Sequence, residues 1–482
     1  MSAAPSNSEF FLAVQTDKSL ENEWKASIGL SGATAIVVGS ILGIGIFLTP
    51  PIVASYVPNT AWFFTVWVFG GLMAFLGALS YGELGALFPQ AGGDYVFLKA
   101  AYGRPVAFLF GWIALTATFS GSIATTAVGL GQYYIAPFLG SWFTEPFLTA
   151  GPLRVSLLTF TAVGIISLFT AINILGISFS TVVQSLISYT PFAVLTIVAV
   201  YFLFTTRSGS MSASLVSSPA FAPATEGKIG LDALGIAMLP VFFAYSGWNS
   251  AAYIGSEIKH AQRTLPLALI FGISLIVILY LLLNSLFIHG AGIESLRSMN
   301  NVGLFVAESG FGAVGKTAFT LLTGIAIMGS LNSTILIGPR IYYSMAKDGL
   351  LFNTVGILCP IRKTPRRGLL IQAIWASVLV HLGGFETILN YTTLMIVVLS
   401  SLTVGGVFLL RRRLPQRNTF RVPLYPLVPA LYIAMSAFLV ITLCIENPRQ
   451  MLAAMLMVVF GLAAYWLFTR RGQQRTNTSL QS

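Results

Sequence analysis

Apolar residues run in blocks of about twenty along this chain, separated by short polar or charged stretches. A block of that length, coiled as an α-helix, matches the hydrocarbon thickness of a bilayer. Twelve such segments are predicted, near 30–57, 61–88, 105–137, 154–172, 176–206, 232–256, 265–288, 313–346, 367–382, 386–410, 424–445 and 449–469. Two of them are broken from inside. Gly43-Ile44-Gly45-Ile46-Phe47 interrupts the first, and Tyr245-Ser246-Gly247-Trp248-Asn249 interrupts the sixth. Backbone that stops being helical at bilayer depth is tolerated only where it lines protein or a water-filled cavity. A matched pair of such breaks points to a substrate site between them.

The pattern predicts an all-α polytopic membrane protein of 12 transmembrane helices. Its core is a 5+5 inverted repeat with discontinuous helices 1 and 6, followed by two extra helices. The boundaries read as a tail over 1–27, a first repeat over 28–206, and an external loop with the second repeat over 207–410. A basic link with helices 11 and 12 occupies 411–469, and a second tail 470–482. No residue-level repeat relates the halves, so the symmetry rests on break position and hydropathy.

Composition sharpens this picture. Of 482 residues, 56% are hydrophobic and 9% charged, against about 25% charged in a soluble domain. The polar start, with Asp17, Lys18, Glu21, Glu23 and Lys25, lacks the apolar core of a cleavable signal, which predicts a retained cytoplasmic tail. The net charge of +11 could suggest nucleic acid, but its distribution follows the membrane. With the N-terminus inside, 20 of the 26 Lys and Arg fall on the cytoplasmic side; only Arg154, Arg207, Lys228, Arg297, Lys316 and Arg449 fall outside. That is the positive-inside asymmetry, which places both termini in the cytoplasm and assigns the charge to topology. Cys359 and Cys444 are too few and too distant for a metal site or disulfide framework. No cluster of His, Cys and acid offers enzyme chemistry, so neither catalysis nor a cofactor is expected.

The first break holds Gly39 and Gly43 at a spacing that also suits close helix packing. The denser glycines ahead of Pro50-Pro51 favour an unwound turn between half-helices. The second half-helix would then aim free N–H groups and its positive end at an anion. Carbonyls of the first would accept from an ammonium group, so the pair suits a zwitterionic amino acid. In the sixth segment, Phe243 is the expected aromatic gate and Asn249 a polar contact. Tyr245 and Trp248, lying beside a mid-segment glycine, are expected deeper than an interfacial belt and are counted among the substrate-binding residues.

Intramembrane acids are functional candidates by default. Glu83 and Glu257 lie near predicted cytoplasmic ends, where pairing with Arg340, Lys259 or Arg263 would make them structural or gating charges. Gly310-Phe311-Gly312-Ala313-Val314-Gly315-Lys316-Thr317 matches the phosphate-loop pattern, but it precedes a membrane segment and lacks the strand and acidic partner that pattern needs. No nucleotide is expected.

At these residues the chain resembles the amino acid–polyamine–organocation superfamily, and within it the L-type amino acid transporter group. The resemblance spans nearly the whole chain. It is carried by Gly43-x-Gly45-Ile46-Phe47-x-x-Pro50, Tyr81-x-Glu83-Leu84-Gly85, Gly92-Gly93-Asp94-Tyr95 and Tyr102-Gly103. Ala244-Tyr245-Ser246-Gly247-Trp248-Asn249, Glu257, Arg263-Thr264-Leu265-Pro266, Arg340-Ile341-Tyr342-Tyr343 and Asp348-Gly349 continue it. Arg411-Arg412-Arg413-Leu414-Pro415 and Phe420-Arg421-Val422-Pro423-Leu424 close it.

The resemblance implies alternating access without ATP. By the family pattern, the substrate carboxylate meets N–H groups around Ile44, Gly45 and Ile46. The amine meets carbonyls near Ile41, Phe243 and Ser246, with Gly43 at the turn and Phe243 gating. The family's small polar residue is Ile44 here, its Asn-Pro after the sixth-helix acid is His260-Ala261, and its fifth-helix lysine aligns with Pro191. Residues 138–153 hold no cysteine for a disulfide-linked helper subunit, so a stand-alone transporter is expected.

The expected activity is secondary transport of small or medium neutral L-amino acids, by exchange, in a plasma membrane such as the bacterial inner membrane. By the resemblance, Ser246 stands where members accepting large aromatic substrates have glycine, and is expected to narrow the pocket. Proton or sodium coupling remains open, the latter through Ser330, Asn332, Ser333 and Thr334. So does amine or polyamine uptake, although no acid stands near either break in sequence. A non-transporting amino acid sensor is the alternative of a different class.

Overall fold

The computed structural model describes residues 23–151, 153–205, 230–299, 301–382, 385–415, 418–446 and 448–479. The expected N-terminal tail up to Asn22, most of the external loop over 207–231 and the end of the second tail lie outside the described residues. Apart from a hairpin of β1 (Leu148–Ala150) and β2 (Leu153–Val155), the described chain is helical or irregular. The protein is an all-α polytopic membrane protein.

The first predicted segment is two helices, α1 (Leu30–Ile41) and α2 (Gly45–Tyr56), bent by 43° at the break. α3 (Thr60–Leu87) and the short α4 (Asp94–Tyr102) follow. Then come α5 (Arg104–Leu139), α6 (Leu157–Ile174) and α7 (Ile177–Thr205). α8 (Leu231–Tyr245) ends at the second break and gives way to two 3₁₀ turns, Ser250–Tyr253 and Gly255–Glu257. α9 (Ala261–Ala291), α10 (Val302–Lys347), α11 (Arg366–Leu382), α12 (Phe385–Arg413), α13 (Leu427–Glu446) and α14 (Pro448–Ser479) complete the order. Eight described helices are long and apolar enough to cross a membrane, or nine with the bent pair counted as one span. α8 and the apolar stretch Ala454–Thr469 are shorter.

Local chemistry explains where helices begin. Asn59 accepts from the Trp62 N–H at 3.0 Å to cap α3, and Ser156 forms a reciprocal capping box with Thr159 ahead of α6. Gly312 carries φ +62° and kinks α10. The phosphate-loop look-alike is therefore a helix kink, and its Lys316 pairs with Glu308 at 3.0 Å.

α1 packs between α7, α9 and α10, and α2 packs on α8, so both breaks meet at the centre of the bundle. A continuous apolar core surrounds them, including Phe47, Trp67, Tyr245 and Tyr280. Large apolar side chains on outer faces stay exposed, among them Phe69, Leu168, Leu186 and Ile197. Such a surface suits lipid tails rather than water.

One link near the Glu257 end ties sequence-distant pieces together. Ile28, just before α1, pairs with Ile258 as an isolated parallel bridge. The N–H groups of Ser27 and Ile28 both donate to the Glu257 carbonyl at 3.0 Å, and Lys259 donates back to Ile28 at 2.8 Å.

Candidate functional site

The first break begins where Leu42 leaves the helical region, with ψ 85°. Its N–H still reaches the Val38 carbonyl at 2.8 Å, but no bond is formed by the N–H groups of Gly43, Ile44, Gly45 or Ile46 among the described residues. These are the uncommitted donors of a helix start. The glycines here also allow close approach. A Cβ on Gly45 would sit 2.6 Å from the Ala244 Cα, and one on Gly43 would sit 2.9 Å from the Ser330 hydroxyl.

The second break turns on Gly247, at φ +99°, a conformation that L side chains rarely adopt. A Cβ there would fall 2.9 Å from both the Ser40 Cβ and its carbonyl oxygen. Each break is thus pressed against the other.

Between them lies a cavity of about 110 Å³, small beside the roughly 300–1,000 Å³ of pockets for drug-sized ligands. The second break gives it Phe243, Ser246, Gly247 and Asn249; the first gives it Ser40. Thr118, Ser122 and Thr126 of α5 and Ser330 and Thr334 of α10 add a wall rich in hydroxyls. Asp94, Tyr253 and Phe110 line it as well, together with Leu399 and Ser400 of α12.

The sequence-predicted residues divide accordingly. Phe243, Ser246 and Asn249 are half-buried and face the cavity. Tyr245 is buried against Trp67 and Tyr280, and Trp248 against Tyr81 and Tyr432, so both turn away from it. Ile44 and Ile46 are buried in the apolar core, which leaves only their backbone available. The Ile41 carbonyl accepts from the Tyr280 hydroxyl at 2.7 Å, and the same hydroxyl reaches the Ala244 carbonyl at 3.1 Å. Tyr280 therefore clips the two broken segments together.

Sequence reasoning picked out Ser330 and Thr334 of the hydroxyl wall, as candidate sodium ligands, but missed its α5 half and Asp94. Thr118, Ser122 and Thr126 recur every four residues, a one-face helical spacing that was available as a signal. Residues 114–118 form a π-helical turn at the start of that row, a distortion frequent at functional sites. The expectation that no acid stands near a break holds along the chain but not in space, since Asp94 bonds to Asn249 at 3.3 Å.

The charged candidates are all paired. Glu257 takes Arg340 on both carboxylate oxygens, at 2.9 and 3.2 Å, with both side chains almost fully buried. Glu83 pairs with Arg411 of α12 at 2.7 and 2.5 Å and also accepts from the Val422 N–H at 2.7 Å. That partner differs from the expected Arg340, Lys259 or Arg263, because folding brings the end of α12 beside α3. Arg411 also lies 3.9 Å over the Tyr425 ring.

Hydroxyls of α10 hold α1 directly. Ser333 bonds the Ile36 carbonyl at 3.2 Å and the Ser40 hydroxyl, and Ser330 bonds the Ser40 carbonyl at 3.1 Å. From α7, Gln184 and Ser188, rather than Pro191, press on the first segment at Gly39, where a Cβ would lie 2.0 and 2.2 Å from their polar atoms.

Known proteins resemble this chain along its length. The family profile of amino acid permeases matches residues 28–468. The human b(0,+)-type amino acid transporter 1 is 27% identical over 95% of this chain and 90% of its own. The serine/threonine exchanger SteT of Bacillus subtilis is 26% identical over 94% and 98%. The human cystine/glutamate transporter is 24% identical over 92% and 85%.

Proposed function

The chain belongs to the amino acid permease family, and we propose that within it the protein exchanges small neutral L-amino acids by alternating access. One observation carries this reading: a small, hydroxyl-lined cavity sits where two broken membrane segments meet, with unused backbone donors at the first break. The substrate carboxylate takes N–H groups between Gly43 and Ile46, which lie behind the Ser330 side of the cavity rather than on its lining. The ammonium takes carbonyls of the second break near Phe243 and Ser246, each able to accept a second bond. Phe243 covers the site, and Ser246 limits the side chain that fits.

The relative named as a serine/threonine exchanger supports both small substrates and exchange. Glu83 and Glu257 act as structural pairs, since each holds an arginine with both carboxylate oxygens. The positive-inside asymmetry supports twelve spans in two inverted halves with both termini cytoplasmic. The absence of cysteine over 138–153 supports a chain that works without a disulfide-linked helper.

The test is uptake of labelled L-amino acids into proteoliposomes, with and without unlabelled amino acid inside. Uptake that requires internal amino acid establishes exchange. Uptake into empty vesicles that follows a proton or sodium gradient replaces exchange with coupled import. Binding without flux under every condition replaces transport with sensing.

A further inference from the structure

Asp94 reaches the cavity from the first turn of α4, an element outside both broken segments. Asp94 is 1% exposed, and its carboxylate collects donors from several directions. Tyr81 of α3 and, at 2.6 Å, Thr403 of α12 donate to Oδ1. Tyr253 and, at 3.3 Å, Asn249 donate to Oδ2. No lysine or arginine is among these partners. An ionised carboxylate only accepts, and four donors match its capacity.

Asn249 is constrained by this arrangement. Its amide nitrogen donates to Asp94 and also to the Tyr253 hydroxyl at 3.1 Å, whose own proton goes to Asp94. These two acceptors are bonded to each other and lie on the same side of the nitrogen, so a single amide N–H is shared between them. Turning the amide over would set its oxygen against a carboxylate oxygen and a hydroxyl lone pair, two repulsive contacts. Hydrogen-bond chemistry thus assigns which end is which. The Asn249 Oδ1 accepts no bond among the described residues, yet it is not one of the buried atoms sealed away without a partner. Because Asn249 is half-buried on the cavity wall, Oδ1 is the unused acceptor it can offer an occupant.

We propose that Asp94 is a positioning residue that makes Asn249 present a hydrogen-bond acceptor to the substrate. The acceptor selects amino acids whose side chain carries a hydroxyl over apolar ones of the same shape. An apolar side chain would leave Oδ1 desolvated and unpaired, and that penalty is the source of discrimination. The inference rests on reading this cavity as the amino acid site.

Threonine and valine test it, because they share a shape and differ in a hydroxyl. Exchange of each is measured in proteoliposomes and expressed as the threonine-to-valine ratio of kcat/KM within each variant. The wild-type ratio is expected at about tenfold, the worth of one such bond. Asn249→Leu removes the acceptor and brings the ratio to about one. Asp94→Asn offers an amide that lets Asn249 turn over, so the ratio falls in the same direction. The double variant then shows no loss beyond Asn249→Leu alone, because both act through one atom. A general loss of structure would slow both substrates and leave the ratio unchanged.

A wild-type ratio near one overturns the inference, as does an undiminished ratio in Asn249→Leu or in active Asp94→Asn. If Asp94→Asn gives no active protein, Tyr253→Phe replaces it, since it deletes the other group that holds the amide. Absence of flux for every amino acid in the wild type would instead sink the proposed function, which keeps the two failures apart.

Discussion

The two breaks look alike in sequence, each a glycine-interrupted stretch inside an apolar segment, yet they are built for different work. At the first, the glycines serve close packing: Gly45 lies against Ala244 and Gly43 against Ser330, and only Ser40 reaches the cavity. Helix resumes at once on the far side, with a 43° bend. At the second, Gly247 sets the path of the chain through its positive φ, and α-helix does not resume until Ala261. The end of α8 turns Phe243 and Ser246 to the cavity, and the irregular stretch adds Asn249. A short gap between helices leaves free backbone donors, whereas a long one can also place side chains. The first break leaves backbone groups unused, and the second also turns side chains toward the cavity.

The anchoring of the second break offers the strongest way to break this comparison. Arg340→Met strands Glu257 as a buried, unpaired charge just beyond that break, at a cost of about 3–5 kcal/mol. Thermal denaturation of the detergent-purified protein should register a large loss, and a midpoint close to wild type would show that the pair does not hold the break. Alanine at the glycines follows. Overpacking should cost about 1–3 kcal/mol at both Gly45 and Gly247. A further ~1–2 kcal/mol is expected at Gly247 for the left-handed backbone. Equal losses in the same assay would erase the distinction between packing and path.

Side-chain changes at the second break sharpen it further. Phe243→Ala should slow exchange by about tenfold by uncovering a positioned substrate, measured as initial rates in proteoliposomes. Near-normal rates would remove the gate assignment. The smallest effect is expected from Ser246→Gly, which should leave small substrates moving while admitting bulkier side chains. An unchanged competition profile across amino acids would show that Ser246 does not set the size limit.

Much of the architecture was legible from hydropathy, because a lipid-exposed span must be apolar along its whole length. The breaks were legible too, since glycines at that depth need a reason. Side-chain direction was harder. Tyr245 and Trp248 flank the same glycine as Ser246 and Asn249, but helical periodicity stops at Ser246 and cannot say which of them turn inward. Tyr245 packs toward α3 and α9, while Asn249 faces the cavity. Glu83 shows the other limit. Its partner Arg411 lies 328 positions away, so charge spacing along the chain pointed to nearer cations.

The sequence by itself determined that this is a helical membrane protein with two interrupted segments, and through its ordered motifs it pointed to the amino acid permeases. These follow from local composition and spacing, which the bilayer makes decisive. Only the tertiary structure decided which walls close the cavity. Asp94, the hydroxyl row of α5 and the serines of α10 come from elements far apart in the chain, and each matters through the atoms it meets across a helix interface. Hydrogen bonds are short-ranged and directional, so their partners are set by packing, which no spacing along one segment can encode.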